Sequence, residues 1–269
     1  MVRSGFTRFA AGLACLWALT IAPALAQAPT ETEVDLALVV AVDISFSMDT
    51  DEQALQREGF AQAFRSKLVH DAIRGGMLGR IAVTYMEWAG SPDQKVIVPW
   101  TVLDNSESLM AFADRIASTP LRRAQRTSIS SAIDFSVKLL EDSGLTATRQ
   151  VIDVSGDGPN NQGRLVIEAR DAAVKKGIII NGLPIMLRQP GYLDIPDLDI
   201  YYKDCVIGGQ GSFTVPVRER DQFIEAIKTK ILLEVANLVP EQPLIRRIQA
   251  PPRTNCMAGE MQWRDRWSN

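Results

Sequence analysis

From Val34 to Val42 the chain reads VDLALVVAV, an apolar run too continuous to alternate, and so suited to a strand buried on both faces. Phe60, Phe64 and Leu68 then recur at four-residue spacing, which predicts a helix capped by Asp49 or Asp51 and ending before Gly75-Gly76. RIAVTYMEWAG from Arg80 and KVIVPWTVL from Lys95 read as strands joined by a short SPDQ turn. So small a gap permits a hairpin and no helical crossover, so this pair is expected to be antiparallel. Helical spacing returns from Ser106 or Glu107 through Ile116, and again from Thr127 to Gly144 through Ile129, Ile133, Val137 and Leu140. Arg149 to Val154 is the next strand, followed by the loop SGDGPNNQG and a helix from Arg164 to Lys176. IIINGLPIM and GSFTVPV read as the last two strands, and Phe223, Ile227, Ile231 and Val235 mark a final long helix over Glu219 to Ala236. Beyond Pro240 no periodicity is visible.

Strands separated by helices require crossovers. The pattern therefore predicts an α/β fold: a doubly wound, mostly parallel central sheet with one antiparallel edge strand and helices on both faces. No repeat or composition shift divides it, so a single domain is expected over 34–238, with a linker at 27–33 and a tail at 239–269.

The N-terminus changes the compartment. Arg3 and Arg8 precede an uncharged segment from Phe9 to Pro23, and Ala24-Leu25-Ala26 supplies the small-x-small pattern of a signal-peptidase site. Residues 1–26 are read as a Sec-type bacterial signal peptide, making the protein periplasmic or secreted, with no membrane span after cleavage. The apolar core is short against the roughly 20 residues of a span. Gly12, three before Cys15, argues against a lipoprotein. Removing Arg3 and Arg8 from 29 basic residues leaves 27 against 32 acidic ones, and no basic cluster is interleaved with aromatics, which excludes a nucleic-acid binder. Cys205 and Cys256 remain, and in an oxidising compartment such a pair is most simply a disulfide tying the tail to the domain. His70 is the sole histidine; it excludes multi-His zinc sites and is read as structural.

Three polar segments sit where binding sites form in open α/β sheets. DISFS, Asp43 to Ser47, ends the first strand; Thr127 opens a helix; Asp157 follows the fourth strand. Each has a plainer reading: Ser47 or Asp49 as an N-cap, Thr127 with Ser128 as another, and Asp157-Gly158-Pro159-Asn160 as a turn. Taken together, two carboxylates and three hydroxyls without sulfur or imidazole suit a hard divalent cation, Mg2+ first, with Mn2+ or Ca2+ as alternatives. Asp194, Asp197, Asp199 and Asp204 lack the spacing of an EF-hand loop and are read as a solvated insertion. Trp88 and Trp100 are read as cross-strand packing.

DISFS, the later helix-opening Thr and the Asp-Gly after the fourth main strand together resemble the metal-ion-dependent adhesion site of von Willebrand factor type A domains. Asp43, Ser45, Ser47, Thr127 and Asp157 match its five positions. DVSGDGPNN, YYKDCVIGG and GSFTVPVRERDQFIEAI more narrowly resemble the exported bacterial A-domain proteins labelled DUF1194. The resemblance implies that Ser45, Ser47 and either Thr127 or Asp157 touch the ion directly while Asp43 acts partly through water. It further implies an open coordination position for an Asp or Glu of a protein partner, and a last helix that shifts when the ligand set changes. The expected function is a non-enzymatic, cation-dependent binding module; the alternative is a metal-dependent hydrolase or phosphoesterase using the same carboxylates. Against the alternative, no second Asp follows Asp43 by two residues, and no GxSxG elbow or Walker loop is present.

Overall fold

The structure, a computed structural model, describes residues 1, 32–188, 195–238 and 254–267. The rest of the expected signal peptide, most of the linker, Asp194 and the tail between 239 and 253 lie outside the described residues.

Strand β1 (Thr32–Asp43) runs through the middle of a five-stranded sheet. Successive strand residues face opposite sides. Leu36, Leu38, Val40 and Val42 therefore enter one buried cluster and Ala37, Val39 and Ala41 the other, which accounts for the unbroken apolar run. β2 (Ile81–Trp88) and β4 (Leu145–Gly156) flank β1 in parallel; β3 (Gln94–Leu103) closes one edge antiparallel to β2, and β5 (Ile179–Pro184) lies parallel beyond β4. The order β3-β2-β1-β4-β5 is the expected doubly wound, mostly parallel sheet with an antiparallel edge.

On one face pack α1 (Thr50–Arg65), α2 (Lys67–Arg74), α3 (Ser106–Ser118) and α7 (Phe223–Val235), through side chains such as Phe60, Ile73, Phe112 and Ile227. The other face holds α4 (Ile129–Glu141), α5 (Val166–Lys175) and α6 (Leu198–Tyr201), with Ile133, Ala169 and Tyr201 in its core. Among the described residues no helix is long and apolar enough to cross a membrane.

Several boundaries differ from the sequence expectation. The first predicted helix breaks at Ser66, whose extended backbone (ψ 129°) loses the register, so Leu68 is 65% exposed while Val69 and Ile73 carry the burial. The helix expected from Thr127 starts at Ile129: Arg126 takes a left-handed φ of 73°, and Ser128 caps by accepting a hydrogen bond from Ser131 N. GSFTVPV touches β5 through an isolated bridge at Thr214, and Ile185 just past β5 through another at Val217, and forms no full strand; Pro216 between them has no N–H to give a ladder. Trp88 lies opposite Gln94, and Trp100 sits further along β3 with Nε1 donating to the Leu139 carbonyl at 3.0 Å, so the two do not pair across the hairpin. The tail expected to be aperiodic carries a further helix, α8 (Ala258–Trp267).

Candidate metal centre

Strand order turns at β1, with β2 and β3 to one side and β4 and β5 to the other, so the loops leaving β1 and β4 diverge and open a crevice. Asp43 is the last residue of β1 and is fully buried there. Its Oδ1 accepts the Ser45 backbone N–H at 2.7 Å, bending the chain into the DISFS loop. Ser45 Oγ and Ser47 Oγ are hydrogen-bonded at 2.8 Å, and Ser47 Oγ donates to Asp157 Oδ1 at 2.6 Å. Alternate residues of one loop thus meet the carboxylate that follows β4.

The N-caps of the two adjoining helices are Asp49 and Ser128. Asp49 caps α1, accepting Glu52 N at 2.7 Å while the Glu52 side chain accepts Asp49 N at 2.9 Å, and Ser128 caps α4, which releases Ser47 and Thr127 from capping. Thr127 is buried at the wall of the adjoining cleft, which Ser45 and Ser47 also line. Its N–H donates to Asn161 Oδ1 at 3.0 Å and its carbonyl accepts Asn161 N at 2.8 Å. The neighbouring Asn160 accepts Ser130 N at 3.0 Å. The two asparagines after Asp157-Gly158-Pro159 therefore staple the β4 loop to the start of α4. The preceding loop is knit to the strand ends through Ala124 N to the Ile44 carbonyl (3.0 Å) and Ser128 N to the Ala89 carbonyl (2.8 Å). Buried Glu87, paired with Arg57 and with Arg122 at 3.4 Å, anchors it from beneath.

Electrostatics beneath the cup are strained. Burial, then repulsion from Asp157, pushes the Asp43 carboxyl well above the usual carboxylate range, against hydrogen bonds from Ser45 and the Asp157 backbone. Asp43 Oδ2 is buried and has no hydrogen-bond partner among the described residues. Gly156 keeps this space open: a Cβ there would come within 2.8 Å of both Asp43 Oδ2 and the Tyr202 hydroxyl. A buried carboxylate oxygen without a donor is costly, and a cation within its reach would satisfy it. Among the described residues no three His, Cys, Asp or Glu gather at one point. The fit to an ion rests on two carboxylates with hydroxyls, an all-oxygen set suited to a hard cation. Asp43, Ser45, Ser47, Thr127 and Asp157 are the residues that would hold it.

Later parts of the chain add further groups around the cup. Arg188, beyond β5, donates to the Ser47 carbonyl and to Asp157 Oδ2 at 2.5 Å, placing a positive charge against the cup. Cys205, in a π-helical turn at Tyr202–Val206, is joined to Cys256 as expected. That bond leads into α8, whose Glu260 accepts from Asn160 Nδ2 at 2.8 Å and whose Trp263 ring stacks 3.6 Å from the Arg126 guanidinium. Asp199 pairs with Arg218 at 2.7 Å and Asp204 accepts Thr254 N at 3.1 Å, so part of the acidic stretch serves local tethering.

The sequence profile described as Protein of unknown function (DUF1194) matches residues 33–239. The chain belongs to the DUF1194 family. No curated protein matches it. Its fold is that of von Willebrand factor type A domains. The pilus adhesin SpaC from Lactobacillus rhamnosus GG aligns with a TM-score of 0.56 at 11% identity, covering 77% of this chain and 31% of that one. A von Willebrand factor type A protein from Catenulispora acidiphila gives 0.54 at 12%, covering 75% and 43%. Proximal thread matrix protein 1 from the mussel byssus gives 0.53 at 9% in a form with a zinc-occupied MIDAS motif, covering 75% and 46%. This DUF1194 chain spans less than half the length of each of these proteins. Its helix α8 lies beyond the stretch that defines the family.

Proposed function

We propose that this protein is an exported, divalent-cation-dependent protein-binding module, in which Asp43, Ser45, Ser47, Thr127 and Asp157 hold the ion and a partner's Asp or Glu completes its shell. The observation carrying this reading is the convergence of Asp43, Ser45, Ser47 and Asp157 at one sheet switch point, above a buried Asp43 oxygen that lacks a donor. Two carboxylates can at most neutralise a divalent ion, leaving it attractive to one more anion. The oxygen-only donor set suits Mg2+, with Mn2+ and Ca2+ as alternatives, and the mussel protein's zinc brings Zn2+ into the test series. Export accords with the Cys205–Cys256 bond, since disulfides persist in oxidising compartments. Binding without catalysis accords with His70 lining a separate cavity beside Phe64 and Met110, away from the cup.

Thermal unfolding of the mature protein with Mg2+, Mn2+, Ca2+, Zn2+ or chelator tests this reading, beside Asp43→Ala and Asp157→Ala. A bound ion stabilises by about 2.7 kcal/mol at a hundredfold excess over Kd. That gain is expected in the wild type and absent from both variants. Equal melting in every condition would sink the reading, and phosphatase or esterase turnover lost with Asp43→Ala would replace it with the hydrolase.

A further inference from the structure

Beside the cup lies a cavity of about 280 Å³ whose walls come from three distant parts of the chain: Phe46 in the DISFS loop, Arg126 and Thr127 before α4, and Trp263 on α8. Phe46 is 52% exposed although it is a large apolar side chain at the mouth of a polar site. The Arg123 guanidinium sits 5.2 Å from its ring and donates to the Phe46 and Met48 carbonyls, both at 2.8 Å, which holds the loop and leaves the ring turned outward. The opposite wall is built with care. Gly259 is buried against the β4 loop, where a Cβ would fall 2.1 Å from the Asn160 carbonyl oxygen, so α8 can approach that closely only with glycine. The disulfide, the Glu260 contact to Asn160 and the stacking of Trp263 on Arg126 then fix the helix in place.

We propose that α8 is a built-in wall of the ligand site, and that the partner is an acidic protein segment in which the Asp or Glu bound at the cup is flanked by a large apolar residue seated between Phe46 and Trp263. This rests on the cation reading above and specifies its ligand. Charge complementarity favours such a segment, because Arg123 and Arg126 border the apolar walls and suit the negative charge that the cup itself recruits. Size favours a side chain: about 280 Å³ falls just below the roughly 300–1,000 Å³ of sites that enclose whole small molecules. The pairing of an aromatic wall with arginine is the usual make-up of an interface anchor pocket.

The probes are two peptides, acetyl-Gly-Asp-Phe-Gly-amide and acetyl-Gly-Asp-Gly-Gly-amide, titrated into the mature protein in saturating Mg2+ and followed by NMR. Loss of the free Mn2+ signal in electron paramagnetic resonance reports cation binding separately. Seating one apolar side chain is worth about tenfold in affinity, so the Phe peptide is expected to bind roughly tenfold tighter. Phe46→Ala and Trp263→Ala should each bring that ratio to about one while Mn2+ binding persists. With Mn2+ bound, a wild-type ratio near one, failure of both peptides to bind, or a ratio that survives either substitution overturns the assignment. Concentration-dependent dimerisation of the wild type, lost in Phe46→Ala, would overturn it in favour of a second copy of the chain. A wild type that binds no Mn2+ refutes the cation reading instead.

Discussion

Lys230→Met tests how α7 is held to the sheet. Lys230 of α7 is 1% exposed and its Nζ lies 2.6 Å from Asp153 Oδ1 in the middle of β4, as an ion pair off hydrogen-bond alignment; it also bonds Glu234 one turn on. Asn181 Nδ2 donates to Glu234 at 3.2 Å, and Arg149 donates to the Glu234 carbonyl at 3.0 Å. Burial, then repulsion from Asp153, pushes Glu234 from an ordinary 4.5 up to about 7, against the pull of Lys230. The folded state thus holds a proton that the unfolded chain releases near 4.5, so this group's share of stability falls as pH rises from about 4.5 to about 7. Methionine keeps most of the packing and removes the cation, leaving two buried carboxylates unpaired. Stripping one partner from a buried ion pair costs about 3–5 kcal/mol. The full loss is expected at pH 8, where both acids are driven to ionise. At pH 5.5 protonation relieves it by about 1.4 kcal/mol for each unit that their proton affinity lies above the pH. Urea unfolding followed by circular dichroism at the two pH values measures both quantities, and adding Glu234→Gln should recover part of the loss. A variant within about 0.5 kcal/mol of wild type at pH 8, the range of an ordinary surface substitution, would refute the charged latch.

Two further perturbations probe the cup and its surroundings. Arg188→Gln removes a charge held against Asp157 and Ser47; because that side chain is half exposed, the gain in Mn2+ affinity should stay within about tenfold, read by the same paramagnetic titration, and unchanged affinity would show that Arg188 does not oppose the ion. Cys256→Ser opens a link between residues 51 apart, and the chain-entropy argument predicts a loss of up to about 4 kcal/mol in calorimetry, together with loss of the Trp263 contact to Arg126 in indole NMR shifts.

Much of this molecule is written locally. Apolar runs and four-residue spacings depend on neighbours in sequence, so β1, the β2–β3 hairpin and α7 could be read directly, as could the polar strand ends at Asp43 and Asp157. Local patterns failed where a backbone choice was made by distant packing. Ser66 breaks a helix whose spacing looked continuous, and α8 forms in a tail without periodicity because the disulfide and Gly259 bring it onto the β4 loop. The cup divides the same way. Residue types and order single out Asp43, Ser45, Ser47, Thr127 and Asp157 as candidates, while the meeting of the DISFS loop with Asp157 depends on chain segments more than a hundred residues apart, as when Ser47 meets Asp157. Arg188 against the cup, Trp263 at its rim and Lys230 beneath the sheet carry no sequence signature, since an isolated arginine, tryptophan or lysine acquires its role from whatever the fold places opposite it.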